Sequence, residues 1–415
     1  MLFASLATRG AGFITSLLIS RLAGASALGV YSTLVNTAAV VATPFAQVLA
    51  NNSTILSADS GVARGAYHAH AGFSFVLALL LSVFSILILW GLYVFTLDSS
   101  AAQFSVFMLV GGGVAAGQIV GGVGLGFLYG AGEFSFVAKV TTFVAVVICA
   151  LVYPVVLYYG LHGAFALLFV GSIFPPVLMA IKVRSTNREP FVYQANDQHA
   201  WRVVGLYFAR AWPSVVAMAV SGGVNWLCTI YLVHSTYGSS GVGVVAVAGQ
   251  WLNLMLLPAT SWGGVALKNI SDVIASGREE VVWAELLGLI RKNMLTTFAL
   301  AGSIGLASGF IAEVYSLGRT DVAGLILINA ACAIVCSVNN IFERLLLALN
   351  RQGLWLGLSL ISGFVQAGIT YAFIAKGLWV SGLAVLVSCS ILCLLSYFSG
   401  KKTLNVALRD LGQCE

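Results

Sequence analysis

Residues 24–45 read GASALGVYSTLVNTAAVVATPF, and residues 238–260 read GSSGVGVVAVAGQWLNLMLLPAT. A shift of 214 positions superposes Gly24 on Gly238, Ser26 on Ser240, Gly29 on Gly243, Val30 on Val244 and Pro44 on Pro258 without a gap. The same shift places Asn36 on Gln250, an amide facing an amide in the middle of an apolar run. A weaker echo pairs YGLHGAFALL at 159–168 with KGLWVSGLAVL at 376–386. Two copies of one pattern in one chain predict two structurally equivalent halves.

The apolar texture of these segments continues through all 415 residues. The chain is 60% hydrophobic and only 8% charged, too little charge to cover a soluble domain of this length. Apolar runs long enough to cross a bilayer, about 20 residues each, fall at 2–23, 27–53, 70–95, 101–130, 136–158, 161–183, 203–233, 239–268, 291–314, 322–349, 354–375 and 378–399. The expected fold is therefore all-α and membrane-embedded, with about twelve crossings. Six crossings separate the repeated segments, so the halves share one orientation: a parallel repeat of two six-helix lobes around a central cavity. The expected division is a lobe at 1–183, a cytoplasmic linker at 184–202, a lobe at 203–399 and a cytoplasmic tail at 400–415. The first apolar stretch has no basic leader and no small-x-small cleavage site, and reads as a span and not as a secretory signal.

Charge sets the expected orientation. One set of connections, with the tail, holds sixteen of the 20 Lys and Arg residues, and the opposite set holds Arg21, Arg319 and Lys376. The positive-inside rule then places both termini in the cytoplasm, which requires an even number of crossings. The net charge of +6 reflects this asymmetry facing anionic lipid, and nothing points to nucleic acid. The segment 276–292, SGREEVVWAELLGLIRK, opens like a capping box at Ser276 and Glu279 and repeats Val282, Leu286 and Ile290 on one face. It reads either as a helix lying in the interface or as an extension of the next crossing.

Polar groups inside apolar crossings are the functional candidates, because a charge costs about 2.5–3.5 kcal/mol at a helix centre on insertion scales. Arg9 stands a third of the way into the first crossing. It either faces a cavity or snorkels to the interface. The acids stay at span ends (Glu133, Glu313, Glu343), in connections or in the tail. An Arg without a deep acid suits an anion, above all a phosphate held in bidentate fashion. Within the spans lie Asn36, Gln47, Asn51, Asn225, Gln250, Asn253, Asn339, Asn340 and Gln366. Amides both donate and accept, as sugar hydroxyls require, but each can instead join two helices. Arg9, Asn36, Gln47, Asn225, Gln250 and Asn253 are the expected substrate contacts.

Glycines 113, 117 and 121, then 122, 126 and 130, form small-xxx-small ridges for close helix packing. GVGLGFLYG lies within a crossing, with no strand before it, and is no nucleotide loop. Of the seven cysteines, Cys332/Cys336 and Cys389/Cys393 have i,i+4 spacing in apolar runs, where Cys packs as a small hydrophobe. With no histidine beside them and only a lone His68-x-His70 elsewhere, no metal site is expected. No cofactor is expected either.

The stretch TRGAGFITSLLISRLAGASALGVYS at 8–32 resembles the multidrug/oligosaccharidyl-lipid/polysaccharide exporter superfamily, and within it the O-antigen flippases. Its carriers are Arg21, Gly24, Gly29 and Tyr31, and FLYGAGEF at 127–134 is similar to the Gly-rich turn found after the fourth span. Arg9, Gly12 and Phe13 match the Arg-x-x-Gly-Phe opening of the related lipid II flippases, in which that Arg lines the cavity. The resemblance implies a bacterial inner-membrane, non-enzymatic flippase working by alternating access. Its substrate would be an undecaprenyl-pyrophosphate-linked oligosaccharide, an O-antigen unit for lipopolysaccharide biosynthesis. Arg9 would contact the pyrophosphate, and the partners would be membrane lipids, a polysaccharide polymerase and a chain-length regulator. Lipid II flippases usually have fourteen spans, against about twelve here. Two alternatives remain: a small-molecule or drug exporter of the same fold, which typically keeps a cavity carboxylate, and a polysaccharide polymerase or ligase, which needs a larger external loop than this chain offers.

Overall fold

A computed structural model describes residues 2–58, 64–96, 101–186, 212, 215–275, 279–349 and 351–412. Residues 187–202 of the expected linker, most of 203–214 and Ser276 lie outside the described residues. The described chain is helical almost throughout, as an apolar environment demands, since a helix satisfies its own backbone N–H and C=O groups. By length and apolarity, eight described helices can cross a bilayer, or nine with the bent pair Glu280–Leu306 and Ser308–Val314 counted as one.

Three of those helices are far too long for one crossing. Leu2–Ala58 has 57 residues, about 85 Å of helix against a hydrocarbon core of about 30 Å. It is broken at Gly24, where φ is 89° and ψ 170°. Phe134–Thr186 is broken at Gly160 (φ 55°, ψ −137°), and Val215–Met255 at Gly238 (φ 66°, ψ −168°). Counted at these breaks, the helices are α1 (2–23), α2 (25–58), α3 (Arg64–Thr96), α4 (Ala101–Gly130), α5 (134–159), α6 (161–186), α7 (215–237), α8 (239–275), α9 (279–314), α10 (Arg319–Ala348), α11 (Gln352–Phe373) and α12 (Trp379–Gly412). Among the described residues these make twelve helical segments, the number expected from the sequence.

The breaks carry the repeat into three dimensions. Gly24 and Gly238, superposed by the sequence, adopt nearly the same extended, positive-φ conformation. Gly160 and Gly377, the pair in the weaker echo, also have positive φ. A Cβ at Gly24 or Gly238 would meet no atom within 4 Å. Glycine is needed there for its backbone conformation and not for space, because this region is closed to residues with a side chain.

The chain divides into two compact units, Met1–Ala219 and Val220–Glu415. In the first, α4 is the hub: it is largely buried, whereas α3 is largely exposed. Its two glycine ridges serve different neighbours. A Cβ on Gly113, Gly117 or Gly121 would run into Phe169, Ser172 or Pro176 of α6. One on Gly122, Gly126 or Gly130 would run into Ala46, Ala50 or Thr54 of α2. One helix thus brings two others to backbone contact, with Phe127, Ile119 and Val123 filling the remaining space. At one end, Lys182 Nζ meets Glu133 Oε1 at 3.1 Å, tying α6 to the α4–α5 turn.

In the second unit the hub is α10, which packs on α8, α9 and α12. It holds the same fourth place in its half as α4. The segment 279–292 is part of one continuous helix, Glu279–Leu306. Val282 and Leu286 are buried in a cluster with Ile341, Phe342, Leu345 and Leu404. The apolar face foreseen for an interfacial helix therefore packs on α10 and α12, and the extension reading is the one that holds. The helix α12 likewise runs on to Gly412, so the expected tail is largely helical.

Replacing Gly24 or Gly238 by Ala should cost about 1–3 kcal/mol each through backbone strain. Gly126→Ala should cost a similar amount through overpacking against α2. Gly10→Ala, in a helical site with open space, should be neutral or stabilising. Thermal unfolding in detergent checks all four, and equal melting of Gly10→Ala and Gly24→Ala would contradict the backbone argument.

Candidate substrate-contacting faces

Lipid-facing helices show their character plainly. On α3 the residues Val76, Leu80, Val83, Leu87, Trp90 and Val94 are all more than half exposed, an apolar stripe at helical spacing. The exposed face of α2 differs. Apart from Val30, its exposed described residues are Ser26, Asn36, Thr43, Gln47 and Asn51. The last four fall at i, i+7, i+11 and i+15 and so share one face. Lipid offers amides no hydrogen-bond partner, so such a face belongs against water or a polar ligand.

The repeat partner α8 is similar. Its exposed described residues are Ser240, Asn253, Thr260 and Trp262. Asn253 and Thr260 stand seven apart, as Asn36 and Thr43 do on α2. Gln250, the residue aligned with Asn36, is half-buried instead, so the polar face on α8 is rotated relative to its counterpart.

The other expected contacts are distributed between the units. Arg9 is half-buried on the third turn of α1. Asn225 is exposed on α7 and accepts a hydrogen bond from Gln366 Nε2 of α11 at 3.4 Å. It stands just before a single π-helical turn, Leu227–Tyr231, a distortion that often accompanies functional positions. Of the six expected residues, Asn36 and Gln47 share one helix face, whereas Asn225, Gln250 and Asn253 belong to the second unit. Two further span amides act as interhelical links. Asn339 Nδ2 donates to the Cys389 carbonyl at 2.9 Å, and the buried Asn329 donates to the Ala248 carbonyl at 2.9 Å.

Sequence reading missed a cavity of about 230 Å³ inside the first unit, lined by Thr8, Thr15, Tyr31, Thr141, Ser172 and Pro175 among others. Thr141 and Ser172 donate to carbonyls of their own helices, Val137 at 2.9 Å and Leu168 at 2.7 Å. The space is below the roughly 300–1,000 Å³ of pockets that enclose drug-sized ligands. Its hydroxyls (Thr8, Thr15, Tyr31, Thr141 and Ser172) are spread over four helices far apart in sequence, with no local motif to reveal them. In the second unit a crevice of about 480 Å³ is lined by Arg351, Gly353, Leu354, Lys402, Thr403 and Val406, at the end that the charge rule assigns to the cytoplasm.

No protein-family profile matches the chain. It is 23% identical over 213 residues to the EPS I polysaccharide export inner membrane protein EpsE of Ralstonia nicotianae. That match covers 49% of this chain and 47% of the relative, so it spans about half of that protein's length. Solved structures align over nearly the whole chain. An inward-facing multidrug resistance MATE family transporter of the MOP superfamily superposes with a TM-score of 0.79 at 13% identity, covering 96% of this chain and 95% of that one. A MOP superfamily transporter from Pyrococcus furiosus superposes at 0.72 and 12% identity, covering 98% and 94%.

The polar face of α2 gives a direct expectation. With membranes treated from both sides, a water-soluble maleimide should label a cysteine placed at Thr43 and leave one at Leu80 of α3 unmodified; an unlabelled Thr43→Cys would put this face against lipid. From its apolar helices, glycine breaks and superposition, the chain is a multi-pass membrane protein that shares its fold with these solved transporters.

Proposed function

We propose that this protein is a flippase for a lipid-pyrophosphate-linked oligosaccharide, translocating an O-antigen-type repeat unit across the bacterial inner membrane by alternating access. Both termini would lie in the cytoplasm. The observation that carries the reading is the exposed amide and hydroxyl face of α2, echoed on α8. Such a face suits sugar hydroxyls, which donate and accept together.

The charge inventory supports an anionic headgroup. No acidic residue lies within any described helical segment of the first unit, whereas Arg9 is half-buried in its first helix. A half-buried guanidinium is suited to phosphate oxygens, which it can hold in bidentate fashion. The open faces suit a large amphiphile, whose lipid tail stays in the bilayer while the polar head follows the polar helix. A membrane relative named for polysaccharide export points the same way. Under this reading Arg9 contacts the pyrophosphate, and Asn36, Gln47, Asn225, Gln250 and Asn253 contact sugars. The lobes would be 1–183 and 203–399, joined by the linker 184–202, and a polymerase and chain-length regulator would act beside the protein.

A drug exporter of the same fold is the second reading, favoured by the multidrug transporter among the structural neighbours. It wants a carboxylate for a cationic drug or a proton, which the described helices of the first unit lack. The test is complementation of a flippase-deletion strain that makes a matching repeat unit. Surface polysaccharide should be restored by the wild type and reduced at least about tenfold by Arg9→Ala at equal membrane expression, the loss of a charge-assisted contact of about 1.5–3 kcal/mol. Restoration untouched by Arg9→Ala would return Arg9 to snorkelling. Failure to restore, together with resistance to cationic drugs, would support the exporter.

A further inference from the structure

The two cysteine pairs of the sequence do not act as separate pairs. Cys332 and Cys336 lie one turn apart near the midpoint of α10, and Cys389 of α12 joins them. Cys336 Sγ stands 3.7 Å from Cys332 Sγ and 3.3 Å from Cys389 Sγ. All three sulfurs lie within 4.8 Å of one another. Cys332 is buried and the other two are half-buried.

These separations resemble those of ligands around one ion. Three sulfurs each about 2.3 Å from a common centre stand about 3.8–4.0 Å apart, so changes of no more than about 1 Å in the sulfur–sulfur distances, within reach of small rotamer adjustments, close the triangle. The backbone at this level is already fixed. Asn339, on the turn after Cys336, holds the Cys389 carbonyl from α10. Ser362 of α11 donates to the Ser388 carbonyl at 3.0 Å. The sulfurs are thus presented by a braced junction of three helices and not by a mobile loop.

We propose that Cys332, Cys336 and Cys389 form a three-sulfur site for a soft monovalent d10 cation, Cu(I), which on binding ties α10 to α12. Thiolate sulfur selects soft ions. Zinc normally takes four ligands, and no His, Asp or Glu completes this group among the described residues. Binding of one Cu(I) with release of one thiol proton leaves the net charge of the buried group unchanged, so the exchange needs no counter-ion in a low-dielectric interior. The site is independent of the polar faces on α2 and α8, and it holds or fails separately from the flippase reading.

The test uses the reduced full-length protein in lipid nanodiscs without oxygen, titrated with Cu(I) against a chromogenic Cu(I) chelator. The wild type should withdraw one Cu(I) per chain, with a rise in melting temperature. Cys336→Ser and Cys389→Ser should each weaken uptake by more than about tenfold, at least the cost of losing an outer-shell partner in a metal site, whereas Cys149→Ser should leave it unchanged. Melting without copper reports whether each variant is folded, and X-ray absorption on the loaded wild type should show sulfur neighbours only. Equal uptake by wild type and either folded Ser variant, or no uptake above the triple Cys332→Ala, Cys336→Ala, Cys389→Ala protein, would overturn the site. Tighter binding of Zn(II) than of Cu(I) would overturn the ion.

Discussion

In hydrocarbon no water is available to an unpaired N–H or C=O, so a chain that stays in the membrane must remain helical until it reaches an interface. Every other feature of this protein works within that constraint. The break between helices at Gly24, Gly160 and Gly238 is compressed into one residue, where a longer loop would carry more free backbone. Side-chain hydroxyls follow the same rule. Thr33, Thr37, Ser82 and Ser172 each donate to the carbonyl four residues back, which satisfies them without a second helix. Association of helices then rests on close backbone approach along the α4 ridges and on a few amide links such as Asn329 to Ala248 and Asn339 to Cys389.

Against that background, an exposed polar face on a membrane helix is the feature out of place, and it is where function is to be sought. The contrast between α3 and α2 is sharp. Both are long helices of the first unit, yet one exposes Val, Leu and Trp and the other exposes Asn, Thr and Gln. A substrate that is itself half lipid and half sugar matches a protein with both surfaces. The small cavity in the first unit, about 230 Å³, is on the wrong scale for such a cargo. It leaves α1, α2, α5 and α6 loosely packed at one level, in a unit otherwise pinned by glycine contacts.

Much of the fold was legible because its signals are short-range. Gly24 and Gly238 carry the repeat and also carry two of the breaks, while the apolar runs gave the number of crossings and their approximate places. The ridges on α4 announced close packing, but 3.6-residue spacing could not say which neighbour each ridge meets. Assigning one to α6 and the other to α2 needs the tertiary structure. The segment 279–292 was ambiguous because an amphipathic helix looks alike against lipid headgroups and against α10 and α12. The candidate site was legible in part. Asn36, Gln47 and Asn51 stand out as polar residues in apolar runs, whereas Thr43 on the same face does not. Cys389 was paired in sequence with Cys393, and only the crossing of α10 and α12 brings it to Cys332 and Cys336, an arrangement that no local spacing encodes.

The most direct measurement is translocation by the purified protein in proteoliposomes loaded with a fluorescent polyprenyl-pyrophosphate oligosaccharide, read by its accessibility to a membrane-impermeant quencher. Protein-dependent movement of the label to the opposite leaflet, slowed when Asn36 and Gln47 are both replaced by Leu, is the result expected of a polar-faced flippase. Liposomes that leave the lipid-linked sugar in place while moving a cationic dye would contradict it and assign the fold to drug export.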